Sequence, residues 1–168
     1  MKKIVLMIGF ACCGKSTVGA LLASRLGCKF VDTDSEIAKR CNLTVSEIFE
    51  RYGEERFRQM EIALLASLAD CQDAVVSCGG GSTLVDNFGQ FAANSVVVWL
   101  TATAETVSRR LGDTPRPLFD SLSVEALAQY VERRSAVYKM YAEVQFATDD
   151  KTPEQVAEKI YSYIVCKN

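Results

Sequence analysis

The 168-residue chain contains no histidine. That absence removes Ser-His-Asp hydrolysis, Cys-His proteolysis and histidine-ligated zinc as readings. Neither charge sign is in excess: 19 Lys and Arg stand against 21 Asp and Glu, a net charge of −2. Nonspecific nucleic-acid binding needs clustered cations on several phosphates, so no nucleic-acid partner is expected. No apolar run approaches the roughly 20 residues of a membrane span, and no membrane association is expected. Proline is scarce, with 3 residues, two of them at Pro115 and Pro117. The 7 cysteines are odd in number and contain no Cys-x-x-Cys pair. They read as small reduced hydrophobes of a cytoplasmic protein rather than a secreted disulfide framework.

What is present is ordinary globular material, 49% hydrophobic and 24% charged. At roughly 100–200 residues per domain, a single domain over residues 1–168 is expected. Met1-Lys2-Lys3 before an apolar run imitates the start of a signal peptide, but the residues that follow have a better explanation inside a fold. Ile4–Ile8 and Val96–Leu100 are nearly continuous apolar runs, the pattern of strands covered on both faces. The strand candidates are Ile4–Ile8, Lys29–Asp32, Ala74–Ser77, Ser95–Leu100 and, more weakly, Val144–Ala147. Helical spacing covers Lys15–Leu26, Glu54–Leu68, Ser123–Tyr141 and Pro153–Ile164. Thr44-Val45-Ser46-Glu47 reads as a capping box opening a short helix that Gly53 ends. Strands alternating with helices predict an α/β domain with a parallel sheet. Residues 111–122, polar and proline-marked, read as an exposed mobile loop.

The first strand candidate runs directly into Gly9-Phe10-Ala11-Cys12-Cys13-Gly14-Lys15-Ser16, a match to G-x-x-x-x-G-K-[ST] in the required strand–turn–helix setting. Such a loop turns backbone N–H groups and a helix N-terminus toward nucleotide phosphates. The lysine, Lys15, would serve the β- and γ-phosphates, and the Ser16 hydroxyl would ligate magnesium. Gly9, Cys12, Cys13, Gly14 and Thr17 belong to the same cradle. Where Cys12 stands, many such loops have glycine. Either the loop uses conventional dihedrals at that point, or some strain is accepted.

A phosphate cradle alone does not separate a kinase from a GTPase or a binding module. The second strand ends in Asp32-Thr33-Asp34, at the carboxyl edge where open α/β sheets bind ligands. The two carboxylates share a face if the strand continues that far. One near magnesium and one near an acceptor hydroxyl would suit phosphoryl transfer, although a turn or helix cap explains Asp-x-Asp about as well. Gly79-Gly80-Gly81 follows the third strand and would let the backbone approach a ligand and donate N–H groups to it. Arg58 and Arg134 lie on helices, and Arg109, Arg110 and Arg116 flank or occupy the loop. Guanidinium suits carboxylate and phosphate contacts. The Asn-Lys-x-Asp pattern of GTPases is absent.

The ordered series GFACCGKST, FVDTDSEIAKR, GEERFRQME, SCGGGS, RPLF and ERRSAVY resembles the shikimate kinases over nearly the whole chain. The resemblance implies a P-loop kinase fold of three α/β/α layers, with a five-stranded parallel sheet in 2-3-1-4-5 order and a mobile lid around 111–122. It implies ATP- and Mg2+-dependent phosphorylation of the 3-hydroxyl of shikimate in the aromatic amino-acid pathway. Carried over by motif, Lys15 and Arg116 would act on ATP phosphates, Ser16 and Asp32 on the metal, and Arg110 or Arg109 on the adenine. Asp34 would hold the acceptor hydroxyls and draw off the proton. Arg58 and Arg134 would clamp the shikimate carboxylate, with Gly79, Gly80 and Gly81 lining the pocket. A cytoplasmic monomer is expected. Three departures stand out: Cys12 for glycine; Arg134-Ser135-Ala136-Val137-Tyr138 for the family's Arg-x-Pro-x-Tyr, where the lost proline could displace Arg134 in favour of Arg133; and a short stretch from Arg110 to Arg116, which bears on the adenine contact. The alternatives are another small kinase of this fold, acting on gluconate or a nucleoside monophosphate, and a nucleotide-binding regulator without catalysis.

Overall fold

A computed structural model describes residues 4–68, 73–112 and 122–167. Its strands are β1 (Ile4–Ile8), β2 (Lys29–Asp32), β3 (Ala74–Ser77), β4 (Ser95–Thr101) and β5 (Val144–Ala147). They form one five-stranded sheet in the order β2-β3-β1-β4-β5, and every neighbouring pair is parallel. β1 is central, with Val5 opposite Val75 on one side and Val96 on the other.

The alternation of side chains along β1 divides the core. Leu6 and Ile8 join a cluster with Phe57, Phe88 and Tyr138. Val5 and Met7 join another with Leu22, Val98 and Ile160. The second cluster is roofed by α1 (Lys15–Leu26) and α7 (Pro153–Lys167). The first is covered by α2 (Thr33–Cys41), α3 (Val45–Leu68), α4 (Phe88–Ala93), α5 (Ala104–Leu111) and α6 (Val124–Tyr141). Three layers follow. Each fully buried Leu, Ile or Phe contributes about 1.5–3 kcal/mol to holding them together.

Local signals set most boundaries. The Thr44 N–H donates to Glu47 Oε2 at 2.7 Å and the Glu47 N–H to Thr44 Oγ1 at 3.2 Å, the two reciprocal bonds of a capping box. Ser123 caps α6 and Thr103 caps α5 through the same kind of bond. Gly53 leaves the helical path at φ 78° and ψ 169°, so the short helix opened by the capping box ends there as expected and α3 is two helical segments joined at a kink. β4 reaches one residue beyond the predicted strand, and α7 continues to Lys167. The helices α2, α4 and α5 lie where no helix is predicted.

Of the two readings of Asp32-Thr33-Asp34, a continued strand or a turn and helix cap, the second holds. β2 stops at Asp32, whose carboxylate accepts from the Ser35 N–H at 3.1 Å and so caps α2. Asp34 lies in the first turn of that helix. The pair is therefore placed by a cap and a turn rather than by the face of a strand.

Candidate active site

The residues between β1 and α1 wrap around the Lys15 ammonium. Lys15 Nζ donates to the carbonyls of Gly9 at 2.9 Å and Phe10 at 2.8 Å, with Cys13 Sγ at 3.8 Å. Gly9 has φ 143°, and a Cβ there would collide with the Leu100 carbonyl, so no side chain fits. Gly14 enters α1 at φ 95°. Cys12 is left-handed at φ 59°. Of the two ways to accommodate a non-glycine residue in this loop, accepted strain is the one used, at about 1–2 kcal/mol.

Cys12, Cys13, Gly14, Lys15, Ser16 and Thr17 line a cavity of about 470 Å³. Asp32, Asp34, Gly79, Gly80, Arg110 and Thr148 border the same space. Ser16 Oγ donates to Asp32 Oδ2 at 2.6 Å and lies 3.4 Å from Ser77 Oγ. Burial pushes the Asp32 carboxyl up, but hydrogen bonds from Ser16, the Ser35 backbone and Ser77 outweigh it and hold the group below its ordinary value. An anionic carboxylate beside a hydroxyl is an oxygen donor set suited to Mg2+, which takes one or two protein oxygens and completes its shell from phosphates and water. Among the described residues, no group of three or more His, Cys, Asp or Glu could hold a metal alone.

The turn after β3 gathers the other charged groups. A Cβ at Gly79 would strike Asp34 Oδ1, and one at Gly81 would strike the Arg58 guanidinium. Arg134 Nη2 donates to the Gly80 carbonyl at 3.1 Å. Asp34, Arg58 and Arg134, from three helices, thus converge on three consecutive glycines, of which Gly79 and Gly80, with Asp34, line the cavity that contains Lys15; Gly81, Arg58 and Arg134 are not among its lining residues. The expectation that the glycine N–H groups face a ligand needs correction at Gly79, whose N–H donates to Thr33 Oγ1 at 2.8 Å. Arg134, rather than Arg133, reaches Gly80, and α6 has Ala136 where the family pattern has proline. Arg133 turns back to the Gln129 carbonyl of its own helix.

Of the two arginines at the end of α5, Arg110 faces the cavity. Its guanidinium donates to the Cys12 carbonyl, Thr148 Oγ1 and the Thr148 carbonyl, each at 3.1 Å. Arg109 reaches Thr106 on its own helix at 3.5 Å. Arg116 and most of the predicted lid lie within 113–121, outside the described residues.

The shikimate kinase family model matches residues 11–165. The chain belongs to the shikimate kinase family. A shikimate kinase of Geobacter sulfurreducens is 40% identical over 163 residues, covering 95% of this chain and 90% of that protein. The solved shikimate kinase of Acinetobacter baumannii in complex with shikimate superposes with a TM-score of 0.91 at 29% identity, covering 100% of this chain and 96% of that one. That of Aquifex aeolicus gives 0.84 at 31% identity, covering 98% and 97%. The P-loop kinase fold, with its 2-3-1-4-5 sheet, is that of the family.

This shikimate kinase family member also contains site residues that motif reading passes over. Glu61 has no solvent-exposed surface, pairs with Arg58 Nη1 and accepts a hydrogen bond from Ser82 Oγ. Arg58 Nη2 also meets Glu54 at 2.9 Å. Burial works to lower the Arg58 pKa, but the two carboxylates raise it, so the guanidinium is firmly cationic. The i, i+3 spacing of Arg58 and Glu61 on a helix was the available signal. Nothing in the sequence marks Thr148, which touches Arg110 across 38 residues.

Proposed function

We propose that the chain transfers the γ-phosphoryl group of ATP to the 3-hydroxyl of shikimate through the residues gathered at this cavity. The observation that carries the assignment is the convergence of Asp34, Arg58 and Arg134 on Gly79–Gly81 beside the Lys15 loop. Lys15 and the backbone of residues 9–16 bind the phosphates, and Ser16 and Asp32 provide the oxygens for Mg2+. The metal, when bound, neutralises charge developing on the transferred group. Asp34 orients the acceptor hydroxyl and takes its proton as the oxygen attacks phosphorus in line. Arg58 and Arg134 grip the carboxylate of the ring, which fixes the hydroxyl relative to the phosphate. Arg134 Nε is buried without a hydrogen-bond partner among the described residues, which suits a group that completes its bonding on an anionic ligand. Arg110 lies along the nucleotide, and Arg116 is assigned to the phosphates by its motif. The chain acts as one cytoplasmic, monomeric unit over 1–168.

An acceptor screen reading ADP release tests the assignment. Turnover with shikimate is expected; inactivity with shikimate but turnover with gluconate or a nucleoside monophosphate would overturn it. Asp34→Asn is expected to lower kcat sharply while ATP binding persists.

A further inference from the structure

Two donors from one helix face share a single acceptor. Arg134 and Tyr138 are four residues apart on α6 and so lie one above the other. Both reach the Gly80 carbonyl, Arg134 Nη2 at 3.1 Å and Tyr138 Oη at 2.8 Å. A carbonyl oxygen has two lone pairs, enough for both. Tyr138 is only 2% exposed, and its ring packs against Trp99 of β4 with centroids 6.1 Å apart. The hydroxyl is thus delivered by a ring wedged between α6 and the sheet. Burial also pushes its pKa up, so it remains a donor throughout the working range. The transfer chemistry makes no use of it.

We propose that Tyr138 is a positioning residue: it satisfies the Gly80 carbonyl so that the Arg134 guanidinium is free to leave that carbonyl for the carboxylate of the acceptor. The inference rests on the functional reading above, in which Arg134 binds that carboxylate. Its logic is the asymmetry of buried hydrogen bonds: abandoning an acceptor with no other partner costs more than the bond contributes while intact. Held by Arg134 alone, the Gly80 carbonyl would retain the guanidinium against the substrate. With Tyr138 on its second lone pair, the carbonyl stays paired when Arg134 moves, and the turn holds its shape.

Tyr138→Phe removes the hydroxyl and keeps the ring against Trp99. The expected result is a KM for shikimate raised about three- to tenfold, with kcat and the KM for ATP within about twofold of wild type. In an Arg134→Ala background, Tyr138→Phe is expected to add less than about twofold to the shikimate KM, because no guanidinium remains to be released. An unchanged shikimate KM in Tyr138→Phe overturns the inference. So does an equal rise in both KM values with a lowered Tm, the signature of loosened packing, and so does a full increment in the Arg134→Ala background. A wild-type protein that does not phosphorylate shikimate overturns the functional reading as well, which separates the two failures.

Discussion

Arg58 and Glu61, three residues apart on α3, form an ion pair in which the carboxylate is wholly buried and the guanidinium side chain is 23% exposed. The arrangement is directional. Glu61, backed by Ser82, is fixed in the core, and Arg58 is held by it against Gly81. Removing the carboxylate leaves the Ser82 hydroxyl without its acceptor and Arg58 with only the exposed Glu54, which costs about 1–3 kcal/mol. Glu61→Ala is therefore expected to lower the urea midpoint strongly, and Glu61→Gln, which keeps one acceptor oxygen, to lower it less. Both should raise the shikimate KM more than the ATP KM. Equal stability of Glu61→Ala and wild type would sink the positioning role.

Asp32 makes stability and metal binding depend on acid in a stated direction. Its carboxyl lies below the ordinary value of 3.8 because the Ser16, Ser35 and Ser77 bonds overcome burial. A depressed folded-state pKa gives stability that is full above the unfolded value and fades as pH falls through the folded one. Asp32→Asn removes that term. The wild-type advantage in urea midpoint over Asp32→Asn should be constant from about pH 7 to pH 5 and shrink below about pH 4. An advantage that grows on acidification would contradict the hydrogen-bond account.

Much of this fold is legible before any coordinates. The two continuous apolar runs are the central strands, and the capping box at Thr44 opens its helix because both reciprocal bonds are encoded within four residues. The phosphate loop is local too, its geometry set by Gly9, Gly14 and the helix that follows. What stays illegible is what depends on contacts distant in sequence. Glu61 looks like any helix-surface glutamate until Ser82, 21 positions away, closes over it. The choice of Arg110 over Arg109 depends on Thr148 and Cys12, brought together by the sheet order. Asp32 was open to two readings, metal carboxylate or helix cap: its Oδ1 accepts from Ser35 as the cap, and its Oδ2, held by the Ser16 hydroxyl, is the oxygen left for the metal reading.

That choice of arginine predicts a contrast. Arg110→Ala removes three hydrogen bonds joining α5, the phosphate loop and the turn after β5. Bonds from charged donors are worth about 1.5–3 kcal/mol each before compensation by water. The ATP KM should rise about tenfold or more in Arg110→Ala and stay within about twofold in Arg109→Ala, measured at saturating shikimate. Matching values for the two variants would remove Arg110 from the nucleotide side.

Cys12, at φ 59°, carries strain that glycine would not. Relief of about 1–2 kcal/mol is offset by glycine's larger unfolded-state entropy, about 0.5–1 kcal/mol. Cys12→Gly should therefore raise stability by up to about 1.5 kcal/mol in urea denaturation, with the ATP KM unchanged because the cradle binds through backbone. A destabilised variant would mean that the packing of the Cys12 side chain outweighs its dihedral cost.

The three glycines after β3 are not equivalent, and alanine substitution should separate them. At Gly80 a Cβ would meet nothing closer than the Ala11 backbone nitrogen at 3.8 Å, an ordinary contact. At Gly81, where φ is −100° and alanine is conformationally acceptable, the Cβ would land on the Arg58 guanidinium. The backbone can stay where it is, but Arg58 cannot. Displacing it strips Glu61 of its cation, so Gly81→Ala should cost about 1–3 kcal/mol of stability, against about 0.5 kcal/mol or less for Gly80→Ala. Its larger effect should be kinetic: a shikimate kcat/KM reduced about 30- to 1000-fold, equivalent to about 2–4 kcal/mol, with the ATP KM near wild type. Urea denaturation and steady-state kinetics on the two variants decide the matter. If Gly81→Ala retained wild-type affinity for shikimate, Arg58 could not be gripping the ligand from the position it occupies.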